Sequence, residues 1–196
     1  KISVWNADFS DAYLKQVTQL GADYIDFGSG NAFRGVKEKG YPDLKEVVKI
    51  RKRVKSWGLD INRVTLPDLT LKFMKDQTGG KKELENTCNA LKVFGDAGVP
   101  VVRQRFAGDT FDALMIRRRA PHRGGYMSRA ESLVRPRPET PTPPELQNWW
   151  GRFCGAYDRL VPLAEEYDLK LAIHPSDTPN PDTPLGGIGF HRVIDA

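Results

Sequence analysis

Apolar and polar positions along the chain follow two alternating regimes. Short apolar runs that turn polar at their ends read as strands: Ile2–Ala7, Tyr24–Phe27, Leu59–Leu66, Val99–Phe106 and Leu169–Ile173. Between them, apolar residues recur every three or four positions, which lays one apolar stripe along a helix. The first stripe is Ala12, Leu14, Val17 and Leu20, with Ser10 placed to cap its start and Gly21 to stop its end. The second holds Leu44, Val47, Val48, Ile50 and Val54, opened by Tyr41-Pro42-Asp43 and ended by Gly58. The third lies within Gly79–Gly98 and carries Leu84, Cys88, Leu91 and Phe94. The fourth opens at Pro143 and Pro144 and runs through Trp149, Phe153, Leu160 and Leu163 to Tyr167. The stretch from Gly108 to Pro144 shows neither period and is expected to be irregular.

Strict strand–helix alternation implies right-handed crossovers and a parallel sheet, an α/β fold. An open doubly wound sheet and a barrel both fit. No G-x-G-x-x-G follows the first strand, so the dinucleotide-binding open sheet loses its main support. Polar residues gather at the C-terminal ends of the strands: Asn6, Asp8, Asp26, Arg105, His174 and Asp177. A parallel barrel builds its active site there. The expectation is a (β/α)8 TIM barrel, of which the first four βα units and the opening of a fifth are present. A whole barrel takes about 250 residues. The 196 residues are therefore expected to be the N-terminal part of a single barrel domain in a longer protein, with a long Arg/Pro-rich loop at 109–144. A complete five-stranded open sheet is the alternative.

Composition narrows the class. Hydrophobic residues make up 39% and charged residues 28%, as in a water-soluble globular chain. No apolar run approaches the ~20 residues that cross a bilayer. The chain opens at Lys1 directly on a strand-like run, with no initiator Met and no signal peptide, so a cytoplasmic protein with a trimmed or processed start is expected. Cys88 and Cys154 have no metal-type spacing and read as free thiols of a reducing compartment. The net charge is +5, and its source is local: Arg117, Arg118, Arg119, Arg123, Arg129, Arg135 and Arg137 fall in one segment. Only Tyr126 interrupts these arginines as an aromatic, too little stacking surface for a nucleic-acid reading. The segment is either a lid that steers an anionic substrate or a solvated loop or subunit contact. His122 and His191 have no assigned role.

The run Leu171-Ala172-Ile173-His174-Pro175-Ser176-Asp177-Thr178-Pro179 resembles the fifth-strand signature of mannonate dehydratases, which typically reads A-I-H-P-D-D-P-P. Leu160-Val161-Pro162-Leu163-Ala164-Glu165-Glu166 resembles the preceding helix of that family, and Gly98-Val99-Pro100-Val101-Val102 with Phe106 its fourth strand. Leu185-Gly186-Gly187-Ile188 stands where the family has a glycine–leucine segment. The likeness covers chiefly residues 95–106 and 145–195. Earlier residues, such as Gly21-Ala22-Asp23-Tyr24-Ile25-Asp26, are similar only to the wider xylose-isomerase-like barrels. Ser176 replaces the first Asp of the signature, and Arg103-Gln104-Arg105 replaces the polar segment after strand 4. The resemblance implies a metal-dependent carbon–oxygen lyase that converts D-mannonate to 2-keto-3-deoxygluconate. It further implies a divalent metal, Mn or Fe, held by His174, with a Cys, a His and an Asp beyond Ala196 as the other ligands.

Each candidate has a plainer reading beside it. His174, followed by Pro175, is a metal ligand or a capping strand-end side chain. Asp177 orients His174, meets substrate hydroxyls, or caps its own turn. Arg103 and Arg105 alternate onto one face of strand 4, where they bind a substrate carboxylate or form an internal salt bridge, for example to Asp26. Asp26 is a base or hydroxyl-binding group, or that salt-bridge partner. Trp5 stacks on a sugar ring or packs. The implied partner is a small sugar acid; homo-oligomerisation stays open. Two rival functions remain: a sugar isomerase or epimerase on the same barrel, and a non-catalytic module that binds polyanions through its arginines.

Overall fold

Five short strands pair in parallel, each beside its predecessor in the chain. In this computed structural model, which describes residues 1–6, 9–27, 33–105, 115–125, 127–133 and 142–173, they are β1 (Ser3–Asn6), β2 (Tyr24–Phe27), β3 (Asp60–Thr65), β4 (Val101–Gln104) and β7 (Lys170–Ile173). The sheet order is β1-β2-β3-β4-β7. A doubly wound sheet reverses direction at a switch point. Here every strand adds to the same growing edge, which is how the wall of a (β/α) barrel is laid down.

The connections are α1 (Asp11–Gln19), α2 (Val36–Lys39), α3 (Leu44–Ser56), α4 (Leu71–Met74), α5 (Gly80–Asp96) and α6 (Pro143–Glu166). Ser10 caps α1 as its side chain suggests, accepting a hydrogen bond from the Tyr13 amide at 3.3 Å. Gly98 follows α5 with φ +73° and sends its amide back to the Gly95 carbonyl at 2.7 Å. Only glycine takes that left-handed turn without strain. The single-turn helices α2 and α4 lie in segments whose apolar spacing is too short to announce them.

The chain divides into two compact units. In the first, Lys1–Phe106 with Arg152–His174, the helix stripes and one sheet face make the core. Leu14 and Val17 of α1, Val47 and Val54 of α3, Leu91 and Phe94 of α5, and Leu160 of α6 are buried, as are Ile25, Phe27, Ile61, Val64 and Val102 of the sheet. A run of aromatic rings threads this core: Phe9 on Phe27 (4.7 Å between centroids), Phe27 on Phe33 (4.4 Å) and Phe33 on Phe94 (5.4 Å).

The second unit corrects one expectation. The 108–144 segment is not irregular throughout: β5 (Met115–Pro121) and β6 (Met127–Leu133) form an antiparallel hairpin. Its turn holds Gly124 at φ +87° and Gly125 at φ +81°. Arginines on both strands hide the usual apolar alternation; in the ladder Arg117 lies opposite Glu131 and Arg119 opposite Arg129. Among the described residues no helix is long and apolar enough to cross a membrane.

Candidate functional site

Side chains alternate across a strand, so the register decides which residues share a face. Ile25, Phe27, Val64, Val102 and Gln104 occupy the buried face. The opposite face therefore collects Ser3 and Trp5 of β1, Tyr24 and Asp26 of β2, Arg63 and Thr65 of β3, Arg103 of β4 and Ala172 of β7. Trp5, Asp26 and Arg63 stand side by side on three neighbouring strands. Thr65, Arg103 and Ala172 form the next row.

Asp26 is the centre of a hydrogen-bonded group. Its Oδ1 accepts from Ser3 Oγ at 2.7 Å and from Asn62 Nδ2 at 2.9 Å, and its Oδ2 accepts from Arg63 Nε at 3.2 Å. A register shift opposite Ile25/Asp26 makes this arrangement, because the extra residue in β3 lets both Asn62 and Arg63 reach the same carboxylate. Burial pushes the Asp26 carboxyl up, but the hydrogen bonds from Asn62 and Ser3 and the Arg63 charge outweigh it and hold the group below the ordinary 3.8. Asp26 is thus an ionised acceptor near neutral pH and a weak base. Arg63 Nη1 is buried and has no hydrogen-bond partner among the described residues.

The arginines of strand 4 are also engaged. Arg103 donates from Nη2 to Thr65 Oγ1 at 3.0 Å. Arg105 forms a two-point fork with Asp68, Nε to Oδ1 at 2.9 Å and Nη2 to Oδ2 at 2.5 Å. The internal salt bridge that the sequence suggested for these arginines exists at Arg105. Its partner is Asp68, while Asp26 takes Arg63 instead. Gln104, on the buried face, donates to the carbonyls of Pro67 at 3.2 Å and Arg105 at 2.8 Å, pinning the strand end. Trp5, on β1 at the edge of the sheet, is 64% exposed.

His174 and Asp177 lie outside the described residues. Among the described residues no group of three or more His, Cys, Asp or Glu side chains gathers as a metal would need. Cys88 and Cys154 are free, and burial pushes the Cys88 thiol up, away from nucleophilic use. Sequence reasoning missed Asn62, Arg63, Thr65 and Asp68. Their signal was present, since four polar residues, Asp60, Asn62, Arg63 and Thr65, interrupt the apolar strand, and Asp68 directly follows the strand-ending Pro67.

No protein-family model matches the sequence, and no curated protein does. Solved structures do resemble it. A mannonate dehydratase from Streptococcus suis serotype 2 superposes over 91% of this chain and 53% of its own with TM-score 0.67 and 19% identity. A xylose isomerase-like TIM barrel protein from Mycobacterium smegmatis, in complex with magnesium, covers 94% and 51% with TM-score 0.51 and 16% identity. A D-psicose 3-epimerase from Clostridium cellulolyticum H10, with D-tagatose, covers 100% and 60% with TM-score 0.56 and 12% identity. The chain spans between half and three fifths of the length of these structures. At such identities the likeness establishes the fold: the chain is part of a (β/α) barrel.

Proposed function

We propose that this chain is the substrate-recognising half of a metal-dependent enzyme that dehydrates a sugar acid, in the manner of mannonate dehydratase. The observation that carries the reading is the polar sheet face, where an ionised Asp26 stands among Arg63, Arg103 and an exposed Trp5 at the open side of a barrel wall. Guanidinium groups match a carboxylate, and an indole face suits the C–H side of a sugar. The resemblance around His174 adds the reaction class.

In that reaction a proton leaves the carbon beside the carboxylate, and the β-hydroxyl departs as water. Positive charge near the carboxylate favours the enediolate that develops. Arg103 provides that charge, with Arg105 beside it at the strand end on Asp68; Trp5 supports the ring or chain of the sugar, Asp26 meets the substrate hydroxyls and takes the proton, and Asp177 orients His174. A divalent ion, Mn or Fe, belongs at His174. The experiment is direct: the full-length protein, loaded with Mn or Fe, is given D-mannonate, and 2-keto-3-deoxygluconate is measured. His174→Ala is expected to lose most bound metal and nearly all turnover while unfolding stays cooperative. Losing a residue that only hydrogen-bonds to a metal ligand typically costs about 10–100-fold, so losing a direct ligand should cost at least that. A variant that keeps both metal and turnover makes His174 structural. Interconversion of D-fructose and D-psicose with no action on D-mannonate would move the reading to an epimerase.

A further inference from the structure

We infer that the β5–β6 hairpin gathers the anionic substrate by its charge alone, acting at a distance and through no fixed contact. The inference rests on the sugar-acid reading above and adds a determinant of substrate capture that the sheet face does not contain. From Met115 to Leu133 the chain carries five arginines and one glutamate, so four of its net +5 charges sit on this one hairpin. The chain reaches the hairpin from the C-terminal end of β4, the end at which a parallel barrel builds its site.

The hairpin does not need these charges for its own stability. Arg119 and Arg129 are ladder partners, and like charges directly opposite weaken an antiparallel pair. Of the five arginines, Arg117 alone has a ladder partner of opposite sign, Glu131. Arg119 and Arg123 are exposed to solvent. Local rules of this kind are broken chiefly where function requires it. Several exposed charges of one sign raise the concentration of an anion around them and speed its arrival. Their reach is the screening length, about 10 Å at 0.1 M salt and about 30 Å at 0.01 M. A neutral sugar gains nothing from such a field, whereas a sugar acid does. The field depends on charge and not on the arginine fork, so lysine serves as well. A bidentate contact to a carboxylate would need the fork.

The test measures kcat and kcat/KM for D-mannonate with full-length protein loaded with Mn. Salt is set at about 0.01 M and at about 1 M, where charges reach about 30 Å and about 3 Å. Wild-type kcat/KM should fall about 10-fold across this range, with kcat nearly constant. The double variant Arg119→Glu, Arg123→Glu should lose about 10-fold in kcat/KM at low salt and equal wild type at high salt. Arg119→Lys, Arg123→Lys should keep the wild-type values at both. If the glutamate variant does not unfold cooperatively, Arg119→Gln, Arg123→Gln takes its place, with a smaller loss in the same direction. Four results overturn the inference alone, given a wild type that turns over D-mannonate. They are a wild-type kcat/KM independent of salt, a charge-removed variant equal to wild type at low salt, a deficit that persists at high salt, and a lysine variant as impaired as the glutamate one. A wild type with no action on D-mannonate overturns the sugar-acid reading and the inference with it.

Discussion

Arg105 and Asp68 meet through two parallel contacts, Nε to Oδ1 at 2.9 Å and Nη2 to Oδ2 at 2.5 Å, although 37 residues separate them. The fork joins the end of β4 to the loop after β3. Backbone bonds run beside it, from the Leu66 amide to the Arg103 carbonyl and from the Leu69 amide to the Arg105 carbonyl. This strand-end loop is therefore held at three points, which keeps the rim of the polar face in place. Arg105 is 38% exposed and Asp68 only 11%. Solvent screens such a pair, so Asp68→Asn should lower stability by only about 1 kcal/mol. Urea unfolding measures this, and a loss several times larger would mean that the loop depends on Asp68 for more than the pair.

Among the described residues, Asp26 and Asp60 are the carboxylates held below their ordinary value. Burial pushes Asp60 up, but hydrogen bonds from Arg51 and the Ile61 amide and the charges of Arg51 and Lys55 hold it below 3.8, as Asn62, Ser3 and Arg63 do for Asp26. A carboxyl with a depressed folded-state value stabilises the protein above its unfolded value and loses that contribution as pH falls through the folded one. Stability should thus be level near neutrality and fall once pH drops below the ordinary 3.8. Urea midpoints measured from about pH 5 to about pH 2 should show this fall, with a shallower slope in Asp60→Asn. An identical slope in the variant would remove Asp60 from the account.

The aromatic run predicts a large core effect. Phe33 is buried and touches both Phe27 and Phe94. Phe33→Ala removes two ring contacts at once and should cost about 3–5 kcal/mol. Chemical denaturation tests this, and a loss under about 1 kcal/mol would show that the site collapses around the smaller side chain.

Two left-handed glycines separate backbone strain from crowding. Gly21 has φ +78° and open space where a Cβ would go, whereas a Cβ on Gly98, at φ +73°, meets the Arg51 guanidinium. Arg51 Nη1 donates to the Ala97 carbonyl at 2.8 Å. Gly21→Ala should cost about 1–2 kcal/mol from conformation alone. Gly98→Ala should cost more, because Arg51 must also shift. Equal losses would show that Arg51 relaxes freely.

The order of strands and helices was legible from the chain alone. Parallel strands with one face covered carry dense apolar runs, helices carry a three-to-four residue stripe, and Ser10, Gly21, Gly58 and Gly98 punctuate them. Parallel pairing in chain order then follows from right-handed crossovers. The hairpin was hidden because arginines occupy ladder positions where apolar residues would have alternated. The polar face was legible only in part. Asp26, Arg103, Arg105 and Trp5 could be picked out by type and by their place near strand ends. Which acid meets which arginine could not, because partners 37 residues apart are chosen by register. One extra residue in β3 puts Arg63 against Asp26, and the loop after Pro67 brings Asp68 to Arg105. Periodicity is a local property of the chain and survives in the sequence; the pairing of charges depends on one-residue offsets between strands, which only the folded sheet decides.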